Sequence, residues 1–151
     1  IKNLWRLFMN NLNDILGINL DEISLLDINE EILIKLQSYD YNTQSNFYFW
    51  LINKINGLED TKNLIELSHC HFLMSYFLYV IFTPICYEEL AFYHANKANN
   101  ISPSLKYKEW LLMFAMLPNG FIKPFDIIKL VEDVLKLNPS SQIANAIISI
   151  F

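Results

Sequence analysis

From Leu67 to Tyr87 the chain runs for twenty-one residues without a single Asp, Glu, Lys or Arg. A stretch that long must leave water, either by crossing a membrane or by forming the inner helix of a packed bundle. Three features favour the bundle. The span contains Ser68, His69, His71, Ser75 and Thr83; Thr83-Pro84 cuts it; and neither end carries the cluster of Lys or Arg that flanks a membrane span. The expectation is a central helix, from about residue 60 to 82, apolar all round because others cover it.

What surrounds it is also helical. Three glycines and five prolines among 151 residues are too few to punctuate a sandwich or barrel of many short strands. No segment shows sustained two-residue alternation. Thr83-Pro84, Ser102-Pro103, Lys123-Pro124 and Asn138-Pro139 each precede an apolar stretch with helical spacing. Because Pro suits the first helical turn, these predict helices near 84–99, 103–117, 124–137 and 139–150. Leu117-Pro118-Asn119-Gly120 is a turn between two of them.

Upstream, Leu4, Leu7, Phe8, Leu12, Ile15 and Leu16 recur at spacings of three and four and end at Gly17, a left-handed C-cap. Asp27-x-x-Glu30 has capping-box spacing and predicts a helix over 28–38. Phe47, Trp50, Leu51 and Ile55 predict one over 43–56 that stops at Gly57, after which Asp60 opens the central helix. The fold class expected is therefore all-α: one domain spanning 1–151, a compact bundle or array of about seven to eight helices around a buried central one. An apolar content of 53% with 18% charged residues supplies enough core for this without disulfides or a structural metal.

Composition limits the function. The net charge is −5, and Arg6 is the one arginine, so the clustered cations that phosphate binding requires are missing and nucleic acid is not the expected partner. Cys70 and Cys86, both in apolar surroundings, fit free thiols in a reducing compartment. No secretion-signal pattern opens the chain, and cytoplasmic residence is the expectation.

Candidate chemistry is sparse. Glu66-x-x-His69 has the spacing of a carboxylate-bridged di-iron site, but that chemistry needs a second copy and two further carboxylates. His69 and His71, two apart on a helix, diverge by about 200° and fit buried, hydrogen-bonded histidines better than zinc ligands. Cys86 near a helix N-terminus is a conceivable nucleophile, yet His94 would sit about 12 Å along the same helix, beyond hydrogen-bond reach. No phosphate loop, nucleophile elbow or dinucleotide fingerprint occurs. The reading is a protein with no cofactor, no metal and no catalytic residues.

Charge patterning points to binding. Asp14, Asp21, Glu22, Asp27, Glu30, Glu31 and Asp40 face Lys35 alone between positions 14 and 40, and Tyr39, Tyr41, Phe47, Tyr48 and Trp50 follow. A solvated surface would look the same. The functional reading assigns Asp21, Glu22, Asp27, Glu30, Glu31, Asp40, Tyr39 and Tyr41 to a surface that steers a basic protein partner.

In overall character the chain resembles the small helical immunity proteins of bacterial toxin–immunity systems, including contact-dependent growth inhibition. The acidic 14–40 stretch is the part that matches, since such proteins commonly block a basic toxin through acidic surface residues. The resemblance implies a non-enzymatic cytoplasmic protein that binds and neutralises a cognate toxin domain. Two alternatives stay open. Pro-initiated helices and Leu137-Asn138-Pro139 resemble tetratricopeptide-like scaffolds, although the starts are unevenly spaced. Cys86-Tyr87 and Tyr107-x-x-Trp110 resemble heme-oxygenase-like or TenA-like helical enzymes, for which the chain is short.

Overall fold

Side-chain caps decide where four of the eight helices begin. The structure is a computed structural model that describes residues 2–150. It contains α1 (Lys2–Leu16), α2 (Glu30–Leu33), α3 (Tyr41–Glu59), α4 (Leu64–Tyr76), α5 (Tyr87–Ile101), α6 (Leu105–Met113), α7 (Pro124–Leu137) and α8 (Gln142–Ile150). Short 3₁₀ turns occupy Leu25–Asp27, Ile34–Leu36 and Phe114–Met116, and α4 continues as a π-helical segment over Phe77–Phe82. No strand occurs among the described residues, so the fold is all-α with eight helices, as the missing alternation and sparse breakers require.

Asn29 accepts from the Ile32 N–H at 3.0 Å, Asp40 from Thr43 at 3.0 Å, Asn63 from Glu66 at 3.3 Å and Ser104 from Tyr107 at 3.2 Å. Each satisfies a first-turn N–H that has no partner within its helix. Two expected caps are corrected. Asp27 ends a 3₁₀ turn, and Asn29 starts the next helix. Asp60 follows the end of α3, which runs through Gly57, and the central helix starts at Leu64. Gly17 does close α1 in the left-handed region, with φ +69° and its N–H on the Asn13 carbonyl at 2.8 Å.

The prolines stand nearer the approach to helices than inside them. Pro124 alone occupies the first turn. Pro103 precedes the Ser104 cap, and Pro84 lies three residues before α5. Pro139 falls in a turn where Asn138 accepts from the Ser140 N–H at 3.2 Å. Pro biases the preceding residue toward extended backbone, which ends one element without dictating where the next starts.

α4 is the centre. Every residue from Leu67 to Ser75 is buried, and α5 and α3 pack against it. The helical stretch Leu64–Phe82 is long and apolar enough to cross a membrane, and 67% of its most apolar 18-residue window is buried inside the fold. Towards α5 it presents Ser68, His71 and Ser75. Ser68 donates to the Ala98 carbonyl at 2.6 Å and Ser75 to the Ala91 carbonyl at 2.7 Å. The facing residues Ala91, Ala95 and Ala98 are small and buried, which lets the two backbones approach closely enough for these bonds. Trp110 extends the seam by donating to Ser75 Oγ at 2.7 Å.

The first turns of α1 depart from expectation. Met9, Leu12 and Leu16 enter the core, whereas Leu4, Leu7 and Phe8 are exposed. The stripe has the right period, but nothing packs over its N-terminal half among the described residues.

Candidate functional site

The acidic stretch folds as a clamped loop between α1 and α3. Asn13 and Asn19 shape its first turn. Asn13 Oδ1 accepts from the Leu20 N–H at 2.9 Å, and Asn19 Oδ1 from the Asp21 N–H at 3.1 Å. Leu20, Ile28, Leu33 and Leu36 are buried and anchor it to the core. Two long-range bonds then close the loop. Lys35 Nζ donates to the Leu16 carbonyl at the C-terminus of α1, at 2.9 Å, where a cation offsets the unpaired carbonyls and the negative end of the helix dipole. His69 Nε2, reaching out of α4, donates to the Ile28 carbonyl at 2.8 Å. Burial pushes the His69 imidazole below its ordinary range, the Ile28 carbonyl opposing this, so the tether is made by neutral histidine.

These anchors leave most of the carboxylates on the surface. Asp14, Asp21, Glu22, Asp27 and Glu31 are exposed, and among the described residues none has an ion partner within 4 Å. Lys35, the one cation of the stretch, is turned onto the α1 terminus. Beside them lies a shallow concavity of about 650 Å³, lined by Asn10, Asn13, Asp14, Gly17, Ile18 and Asn19.

Two of the expected partner-binding acids have internal duties. Glu30 is ion-paired with Lys106 of α6 at 2.8 Å, and that ammonium also lies 4.5 Å from the centroid of the Phe72 ring. Asp40 caps α3, and its hydrogen bonds with Thr43 hold the carboxyl below the usual range. Tyr39 and Tyr41 flank Asp40 and are exposed, with the Tyr41 ring 5.1 Å from Phe82. Of the aromatics that follow, Phe47 and Trp50 are core and Tyr48 is half-buried. Phe49, 62% exposed, is an aromatic that sequence reasoning passed over. Its place in the alternation of inward and outward positions on α3 was the available signal.

The chemical constellations resolve differently. Of the Glu66–His69 pair, His69 has its Nε2 bound to the Ile28 carbonyl. Among the described residues no three His, Cys, Asp or Glu side chains gather around one point. His71 and His94 do meet, with Nδ1 atoms 2.8 Å apart in the α4–α5 seam. Cys86 is exposed, a correction to its expected apolar setting, and stands in left-handed backbone ahead of α5. Tyr107 stacks on Phe72 with ring centroids 5.3 Å apart, and the Trp110 N–H is held by Ser75, so this pair builds the core. Comparison with protein-family profiles, with curated proteins and with solved structures finds no match.

Proposed function

We propose that the chain is a non-enzymatic binding protein of the immunity type, which captures a basic toxin domain on the clamped acidic loop between α1 and α3. The observation that carries this reading is the separation of charges in residues 14–40. Five exposed carboxylates lack an ion partner among the described residues, while the only lysine of the stretch is committed to the Leu16 carbonyl. Unpaired carboxylates on a loop held by Lys35, His69 and four buried aliphatic side chains form a surface with a fixed shape. Such a surface loses little conformational entropy on binding. Its field raises the encounter rate with a cationic partner and disfavours acidic ones.

The reading is tested by mixing the purified chain with the basic products of the genes that flank its own, assayed for toxicity. Stoichiometric binding that abolishes the toxin's activity, with an association rate that falls steeply as salt rises, is the expected result. Absence of binding at low salt would overturn it.

A further inference from the structure

α7 and α8 supply none of the clamps of the acidic loop, and they leave a strip of apolar surface uncovered. On α7, Phe125 is 77% exposed and Ile128 55%, and Ile148 and Ile150 of α8 are exposed as well. α8 carries no charged residue from Gln142 to Ile150. Exposed apolar side chains gathered on one face mark a contact surface.

The shape of the strip states what covers it. Between the two helices lies a groove of about 200 Å³, below the roughly 300–1,000 Å³ of small-molecule pockets. Its α7 wall includes Ile128, Val131, Glu132 and Leu135, at positions i, i+3, i+4 and i+7 of one helix. Four residues so spaced form the hole that receives one side chain of a facing helix. Ile147 and Ile148 of α8 close the other side. The occupant is therefore a helix that lays an apolar knob into the groove.

α7 is itself such a helix. In a two-fold antiparallel pair, the numbers of the residues that face one another sum to a constant. Seating Ile128 in the hole of a second copy, centred between Val131 and Glu132, sets that sum at about 260. Phe125 then faces Leu135 of the second copy, and Lys129 comes within about one residue, roughly 1.5 Å along the axis, of its Glu132.

Charge decides the partner and its direction. Asp133 serves Lys108 and Lys136, whereas neither Lys129 nor Glu132 has an ion partner within 4 Å among the described residues. The two-fold operation pairs them twice, Lys129 with Glu132 and Glu132 with Lys129. A parallel pair would set like charges against each other. The face is also small. α7 has 14 residues, about 21 Å of helix, and α8 widens it by one helix spacing of about 8–10 Å. That falls at or below the roughly 800 Å² per partner of a standard interface, which makes the contact weak and reversible.

We propose that the α7–α8 face is a two-fold interface on which a second copy of this chain docks with its α7 antiparallel, Ile128 in the groove and Lys129 against Glu132.

Sedimentation equilibrium of the whole chain, from about 5 µM to about 500 µM, tests this. The expected result is a monomer–dimer equilibrium with Kd on the order of 10–100 µM. Ile128→Asp, at an exposed position, should weaken it at least about tenfold and leave the circular dichroism spectrum and melting unchanged. Phe125→Asp, more exposed still, gives the same readout should Ile128→Asp alter the melt. Lys129→Glu and Glu132→Lys should each weaken the dimer, and an equimolar mixture of the two variants should restore it as a heterodimer. A chain that stays monomeric up to about 500 µM overturns the proposal. So does a dimer that survives both apolar substitutions or ignores the single charge reversals, since it uses another face or register. Adsorption of the monomer to vesicles of phosphatidylcholine and phosphatidylglycerol, abolished by Ile128→Asp and without self-association, would assign the face to a lipid surface and overturn it as well.

Discussion

His71 and His94 share one hydrogen bond, Nδ1 to Nδ1 at 2.8 Å, inside the packed seam between α4 and α5. One nitrogen must carry the proton and the other must not, so the two neutral rings are opposite tautomers. Burial pushes His71 down to about 4, assisted by Lys97. Burial likewise pushes His94 down to about 3, assisted by His71 and Lys97.

A pH dependence of stability follows. The ordinary value for either group is 6.5, so below it the unfolded chain binds protons that the folded chain refuses. Stability is full above that pH and is lost as pH falls, by up to about 1.4 kcal/mol per pH unit for each histidine. Urea unfolding between about pH 7.5 and pH 5 should show this slope, and His71→Leu combined with His94→Leu should flatten it. A wild-type profile that is flat across this window would refute the account.

The thiols should separate in time. Burial, and secondarily the charge of Glu66, raises Cys70 to about 12, while Cys86 is exposed. Because the thiolate is the reactive form, a disulfide reagent should consume one thiol per chain rapidly and the second only when denaturant is added. Two fast equivalents would place Cys70 outside the core.

Charge and capping can be disentangled on the acidic loop. Asp21→Lys with Glu22→Lys alters exposed side chains only, so melting should be nearly unchanged, within about 0.5 kcal/mol. Association with the basic partner proposed above should slow and lose salt dependence. Asp40→Asn should preserve the cap of α3, because Asn is as good an N-cap as Asp, whereas Asp40→Ala should lower the melting temperature. Equal melting of the two Asp40 variants would remove its structural role.

Thr83 and Cys86 hold left-handed backbone, with φ of 41° and 60°, on either side of Pro84 and the almost fully exposed Ile85. A side chain with a Cβ is disfavoured there by roughly 1–2 kcal/mol, and Gly gives back part of that gain through its unfolded-state entropy. Thr83→Gly and Cys86→Gly should each stabilise by up to about 1 kcal/mol in chemical denaturation. Clear destabilisation by both would mean that the loop is not strained.

Local signals made the helices legible in the sequence, and tertiary contacts decided their ends. Asp60-Thr61-Lys62-Asn63 contains three good capping residues. Thr61 binds back to the Leu58 carbonyl at 2.8 Å, which prolongs α3 and hands the cap to Asn63. The acidic stretch was visible as composition, since charge counting needs no fold. Its clamps were not, because Lys35 and Leu16 are 19 residues apart and His69 and Ile28 are 41 apart. Glu30 looked free for the same reason, its partner Lys106 lying 76 residues away.

The π-helical end of α4 holds a residue to spare. Its last N–H, on Thr83, reaches back five residues to the Leu78 carbonyl at 3.0 Å, so the segment Phe77–Phe82 holds more residues per turn than an α-helix. Removing one of them would let the helix close as ordinary α while the residues on either side keep nearly the same relative direction, because each π residue turns the chain by less than the roughly 100° of an α residue. The same deletion within Leu64–Tyr76 has no such slack and would turn everything beyond the cut by about 100°, taking Phe77 and Leu78 out of the core.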